Sequence, residues 1–203
     1  MKIACYAAGS VGTNNYVVSD DNGITAIIDC DGNPAPLYSY IEKNNLKVTH
    51  ILLTHGHYDH TGSVNEVAEH YGCTIVGCAK EIRVFTDPSI NCSHFCCGDI
   101  IVHPDVLVNN GDVVKVGDME FEVLETPGHT EGSICYICKD TIFSGDTLFQ
   151  GSCGRTDLPT GNWNDIIQSL KKLAALPGDY QVYSGHGPAT TLETERRTNP
   201  YMK

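Results

Sequence analysis

Apolar positions along the chain recur with two periods. Tyr16-Val17-Val18 and Ile24 to Asp29 are short apolar runs of strand length, joined by Asp20-Asp21-Asn22-Gly23, a sequence suited to a hairpin turn. Pro34 and Pro36 introduce a helix from Leu37 to Asn45. Val48 to Leu53 is a continuous apolar run, as in a strand buried on both faces. A helix over Ser63 to Tyr71 and a strand over Thr74 to Val76 follow. Residues 86 to 104, rich in Cys, Ser, Asp and Pro, break the rhythm and read as an irregular insertion or lid. Beyond it, Val113 to Val116 and the strictly alternating Met119 to Leu124 flank the turn Gly117-Asp118, the second run marking a half-exposed strand. Ser133 to Cys138, Thr141 to Ser144 and Gln181 to Ser184 continue the sheet pattern. Trp163, Ile166, Ile167, Leu170 and Leu173 have helical spacing, ended by Pro177-Gly178, and Leu192 to Arg197 reads as a short last helix. With no repeat, linker or low-complexity stretch, the layout fits one α/β domain over residues 1–203, with helices outside β-sheets in three or four layers.

Composition narrows the partners. The chain has 203 residues, enough for one sizeable core, and a net charge of −12 from 13 basic and 25 acidic residues. That balance argues against nucleic acid or an anionic membrane surface, since both select basic faces. No apolar run approaches the roughly 20 residues of a membrane-spanning helix, and Met1 to Tyr6 has no signal-peptide pattern, so a cytoplasmic location is expected. Ten cysteines without framework spacing fit a reducing compartment.

The chemistry concentrates directly after the strand that ends at Leu53. Thr54-His55-Gly56-His57-Tyr58-Asp59-His60 places four candidate metal ligands within six residues. In extended backbone His55 and His57 share a face, while Asp59 and His60 sit where the chain turns into a helix and can be swung toward a second ion. Three more candidates follow strands: His129 in Thr126-Pro127-Gly128-His129-Thr130, Asp146 in Ser144-Gly145-Asp146-Thr147, and His186 in Ser184-Gly185-His186-Gly187. Each has a neighbouring glycine that permits close backbone approach. Seven ligands exceed what one tetrahedral ion uses, whereas two divalent ions bridged by a carboxylate employ them all. Imidazole and carboxylate suit Zn²⁺ first, with Fe or Mn as alternatives. Such a pair, ~3.5–4 Å apart, acidifies a water toward pKa ~7 and implies metal-assisted hydrolysis.

These segments, together with Ile27-Ile28-Asp29, Phe143 to Phe149, Gly151 to Asp157 and Ser184 to Thr190, resemble the metallo-β-lactamase-fold superfamily over nearly the whole chain. The resemblance is strongest to stand-alone glyoxalase II-like (hydroxyacylglutathione hydrolase-like) hydrolases. It implies an αββα four-layer sandwich with the metal site at one edge of the two sheets. It assigns His55, His57 and His129 to one ion, Asp59, His60 and His186 to a second, and Asp146 to both. The implied reaction is attack of a bridging hydroxide on the carbonyl of a small acyl thioester, with Asp59 as the catalytic group that orients it. Asp29 is implied to buttress the ligand loops. Arg155 has two readings, recognition of a substrate carboxylate or a loop-fixing ion pair with Asp157, and the second is the simpler.

Two departures stand out. Glutathione-specific members have Thr-His-His-His-Trp-Asp-His, where this chain has Gly56 and Tyr58, neither at a ligand position. Those members also carry a C-terminal helical domain that helps hold glutathione, for which the residues after His186 leave no room; the expected substrate is a small acyl thioester, built on glutathione or on another thiol. The same superfamily includes mononuclear iron persulfide dioxygenases that share the Gly154-Arg155-Thr156-Asp157 stretch, and these are the main alternative. RNA-processing nucleases, lactonases and β-lactamases are weaker alternatives. Cys135 and Cys138 lie three apart on a strand and so face opposite ways, which argues against a shared metal or disulfide. Cys92, His94, Cys96 and Cys97 cluster in the irregular stretch and are expected to pack the lid, with metal binding or redox chemistry as the alternative, and Cys153 is expected to face the mouth of the site.

Overall fold

The computed structural model describes residues 1–203. Twelve of the fourteen strands form two mixed six-stranded sheets, accompanied by seven α-helices. The first has spatial order β1-β2-β3-β4-β5-β6, with β1 Lys2–Ala8, β2 Thr13–Ser19, β3 Ile24–Ile28, β4 Lys47–Leu52, β5 Thr74–Cys78 and β6 Val106–Val108. The second has order β14-β13-β10-β9-β8-β7, built from β7 Val113–Val116, β8 Met119–Glu125, β9 Ile134–Cys138, β10 Thr141–Gly145, β13 Gln181–Ser184 and β14 Thr190–Thr191. β11 Leu148–Phe149 and β12 Ser152–Cys153 form a small separate ribbon.

Between the sheets lies a core that includes Tyr16, Val18, Ile28, Leu52 and Val76 from the first and Met119, Phe121, Val123, Tyr136 and Phe143 from the second. The alternation of β8 produces this directly: Met119, Phe121 and Val123 point inward while Glu120 and Glu122 remain exposed. On the outer face of the first sheet, α1 (Ala35–Lys43) and α3 (Val64–Tyr71) bury Leu37, Ile41, Val64 and Val67 against Val17, Ile27, Ile51 and Ile75. On the outer face of the second, α6 (Trp163–Ala174) buries Leu170 and Leu173, and α7 (Leu192–Thr198) buries Leu192. Asn162 starts α6 by accepting from the backbone N–H groups of Asn164 (2.9 Å) and Asp165 (3.2 Å). Each fully buried leucine contributes ~1.5–3 kcal/mol of transfer free energy. The layers are therefore αββα. No helix is long and apolar enough to cross a membrane.

Strand direction explains where the loops gather. β8 is antiparallel to β9, β9 to β10, and β10 is parallel to β13, so β8, β10 and β13 all point the same way. In the first sheet β3 and β4 are parallel, and β2, antiparallel to β3, begins where β3 ends. The loops after β3, β4, β8, β10 and β13 and the start of β2 consequently share one edge of the sandwich. Hydrogen bonds from Ile134 N to Thr54 O (2.9 Å) and from Tyr136 Oη to Leu53 O (3.2 Å) tie the sheets together beside it.

The structure differs from the sequence expectation in three places. β1, not among the expected strands, pairs along the whole of β2; Ile3 to Ala8 is an apolar run that stays only partly buried because the strand lies at the sheet edge. Residues 86 to 104 are not wholly irregular: α4 (Ile82–Thr86) ends there, and Ser93–Cys96 forms the single turn α5. That turn is too short to bury a face, so Cys96 and Cys97 are exposed rather than packed inside a lid, and His94 pairs with Asp99 at 2.9 Å. Cys135 and Cys138 do face opposite sides, the first toward α6 and the second into the inter-sheet core.

Candidate metal centre

All seven residues singled out as ligands converge at the shared edge. Their donor atoms form three overlapping groups: His55, His57 and His129; His55, His60 and Asp146; and Asp59, His60 and His186. Each group offers atoms within 4.8 Å of one another. Asp146 stands between the outer groups, with Oδ1 3.3 Å from His60 Nε2 and Oδ2 3.5 Å from both His129 Nε2 and His186 Nε2. Asp59 Oδ2 lies 3.2 Å from His186 Nε2 and 3.8 Å from His60 Nε2.

The outward-facing atoms are held in place. His60 Nδ1 donates to Asp29 Oδ2 at 2.8 Å, leaving Nε2 to face the cluster. His129 Nδ1 donates to the carbonyl of Arg155 at 2.7 Å, so that Nε2 points into the cluster, 2.9 Å from His57 Nδ1. Asp29 also accepts from Thr54 N (2.8 Å) and Thr54 Oγ1 (2.7 Å), so one buried carboxylate anchors the start of the motif and orients His60. Asp29 has φ of 53°, a left-handed conformation that costs free energy in a non-glycine residue and is maintained by these bonds. Thr13 Oγ1 donates to Asp59 Oδ2 at 3.2 Å.

The electrostatics are those of a ligand set. Burial, followed by the neighbouring His60 and His129, holds His55 well below the usual imidazole range, and burial with His129 pushes His57 down to about 3. Both rings are therefore neutral, the form that donates a lone pair to a metal. Burial would raise the carboxyls of Asp59 and Asp146, but His60 and His186 on the first, and His60 and His129 on the second, outweigh it and keep both ionised. Burial opposes charge on His60, yet Asp146, Asp29 and Asp59 together raise its proton affinity well above normal.

Whether the residues suit metal ions can be judged from unpaired atoms. His55 Nε2, His60 Nε2 and Asp146 Oδ1 are buried without a hydrogen-bond partner. Such atoms carry a desolvation penalty of ~1–3 kcal/mol each unless something satisfies them. Nitrogen and carboxylate donors converging in this way fit divalent ions of the Zn, Fe or Mn type.

Close approach of backbone is essential at one point. A Cβ on Gly185 would overlap Asp146 Oδ1 and come within 2.6 Å of His60 Cε1. Gly185→Ala is therefore expected to displace Asp146 or His60 and to lower bound metal at least tenfold while leaving the rest of the fold intact. Metal analysis alongside circular dichroism checks this, and full metal content in the variant would contradict it.

Three residues at the site have no counterpart in the sequence pattern. Thr13 and Asn14 precede an apolar strand and look like turn residues, yet both are buried at the edge. Glu81 lies in Ala79-Lys80-Glu81, which looks like a solvated helix start, but it is fully buried behind the ligand loops and its carboxyl is pushed up to about 7 by burial. Arg155 forms a two-pronged ion pair with Asp157 (2.6 and 2.7 Å) at the rim.

A cavity of about 520 Å³ opens onto the centre, and Val11, Tyr58, Phe149 and Leu158 give its outer part an apolar lining. Cys92, Cys96, Cys153 and Arg155 also border it. A second depression, of about 630 Å³, lies on the outer face of β7–β9 among Lys115, Asp118, Glu120 and Glu122 and contains no ligand group.

A fold of two six-stranded sheets between helices, with His and Asp ligands on the loops at one edge, defines a family of metal-dependent enzymes. Over residues 8–186 the sequence matches the metallo-beta-lactamase superfamily, and the chain belongs to it. It is 37% identical to the hydroxyacylglutathione hydrolase GloC of Haemophilus influenzae, over 93% of this chain and 92% of that protein. Among solved structures it resembles the BLEG-1 B3 metallo-beta-lactamase (TM-score 0.93, 35% identity, full coverage of both chains). It also resembles TTHA1623 in a di-iron-bound form (0.87, 31%, 98% of this chain and 99% of that one) and ETHE1 from Myxococcus xanthus (0.83, 30%, 98% and 84%).

Proposed function

We propose that the protein is a dinuclear metal-dependent hydrolase of small acyl thioesters. The observation that carries this reading is the position of Asp146, whose two oxygens face the His60 side and the His129 and His186 side of one ligand cluster. His55, His57 and His129 would hold one ion and Asp59, His60 and His186 the other, with Asp146 shared. When bound, the ions supply an acidified water and positive charge for the oxyanion that develops at the acyl carbonyl. Asp59, kept ionised and fixed by Thr13, orients the attacking water and takes its proton. The apolar wall of Val11, Tyr58, Phe149 and Leu158 receives the acyl or thiol substituent and sheds water around it.

Arg155 is the single cation bordering the cavity, and both carboxylate oxygens of Asp157 already occupy it. A thiol bearing several carboxylates would have to compete with Asp157, so a less charged thiol fits better than glutathione. The hydrolase name of the H. influenzae relative supports thioester chemistry; the competing reading is a persulfide dioxygenase in which a single iron acts with oxygen.

Free-thiol release from one acyl group carried on glutathione and on an uncharged thiol tests the proposal on protein of measured metal content. Hydrolysis of either, faster on the uncharged thiol, is expected. Absence of thiol release together with oxygen uptake on a persulfide would replace it by the dioxygenase.

A further inference from the structure

Two buried side chains outside the ligand set hold the loops from which the ligands project, and each serves a different part of the centre. Glu81 Oε1 accepts the backbone N–H of Gly56 at 2.9 Å, and Oε2 accepts that of Gly132 at 2.8 Å. Gly56 lies between His55 and His57, and Gly132 lies three residues after His129. One carboxylate thus ties together the two loops that supply His55, His57 and His129. The fit is close: a Cβ on Gly132 would fall 2.5 Å from Glu81 N and 2.6 Å from its Oε2. Removing the carboxylate would leave two buried amide donors unpaired, one in each loop.

Asn14 does the equivalent on the opposite side. Its Nδ2 donates to Ser184 O (3.0 Å) and Gly187 O (2.9 Å), the carbonyls on either side of His186 in the loop. Its backbone N–H donates to Gly185 O at 2.7 Å, and Tyr16 Oη reinforces the same loop at Ser184 O (2.6 Å). The neighbouring Thr13 holds Asp59. The start of β2 therefore fixes two of the three ligands in the Asp59, His60 and His186 group. The hydrogen bonds of Glu81 and those of Asn14 have no residue in common.

We propose that Glu81 and Asn14 are positioning residues with separate duties, Glu81 setting the affinity of the position formed by His55, His57 and His129, and Asn14 that of the position formed by Asp59, His60 and His186. Neither touches a ligand ring or the cavity; each acts through backbone carbonyl or amide groups of the ligand loops. The inference rests on the two-position reading of the centre.

The test uses Glu81→Ala, Glu81→Gln and Asn14→Ala in the full chain, loaded with Co²⁺ against a graded chelator. Occupancy at each position is read by anomalous diffraction, and the total by elemental analysis. Glu81→Ala should weaken the three-histidine position by ~10–100-fold and change the other by less than about threefold, with Asn14→Ala giving the reverse. Glu81→Gln keeps one acceptor and should fall between wild type and Glu81→Ala. Each variant serves as the folding control for the other, because a general loss of structure would weaken both positions together. Parallel weakening of both positions in the two variants, or no change in either, overturns the assignment of separate duties. A wild-type protein that saturates at one ion overturns the two-position reading and the inference with it.

Discussion

Asp146→Ala should remove the shared ligand and reduce bound metal from two ions per chain to one or fewer, with turnover falling by at least ~10³-fold. The size of the effect follows from its place. No other side chain comes within 3.5 Å of His60 Nε2, His129 Nε2 and His186 Nε2 together. Losing Asp146 also leaves His60, whose proton affinity it raises, facing the cluster with fewer neighbouring carboxylates. The structural cost should be small by comparison, because Asp146 makes no hydrogen bond to the core and only its ligand contacts are lost. Elemental analysis of the purified variant settles the matter, and undiminished dinuclear occupancy would rule out the shared role.

Asp59→Asn should behave differently. Asparagine keeps an oxygen able to accept from Thr13 Oγ1, so the loop position is retained and much of the metal should remain bound. What is lost is the negative charge that His60 and His186 stabilise on Asp59, and with it the group that takes the proton of the attacking water. A general base contributes ~10²–10⁴-fold, and the fall in kcat should lie in that range with KM little changed. Steady-state rates normalised to metal content distinguish this from simple metal loss. Near-wild-type turnover would take Asp59 out of the chemistry and leave it a ligand alone.

Much of this centre is legible in the amino-acid order because metal ligands must be particular residue types at spacings fixed by backbone geometry. The run from His55 to His60 could be read directly, as could the placement of His129, Asp146 and His186 at strand ends. The strands themselves follow from apolar runs where both faces are covered, and β8 from its alternation. What escapes is of two kinds. β1 is apolar without the alternation that would mark it as a half-exposed strand, and β6 and β14, with three and two residues, are too short to show a period. Glu81 and Asn14 are invisible for another reason: their partners are backbone groups, which every residue possesses. Gly132 is 51 positions from Glu81, and Gly187 is 173 from Asn14. Nothing in local sequence distinguishes such a glutamate from a solvated one. Asp29 falls in between, since its role was implied by family resemblance while its left-handed backbone and three-way hydrogen bonding emerged only in three dimensions.

Hydrolysis of an acyl thioester by two ions in one His/Asp cluster requires thiol release that depends on both. Titration of the metal-free protein with Zn²⁺ or Fe²⁺, with free-thiol release from an acyl thioester followed at each increment, measures that dependence. Thiol release should rise to a plateau at two ions per chain. A plateau at one iron per chain, with oxygen consumed on a persulfide and no thiol released from the thioester, would contradict it.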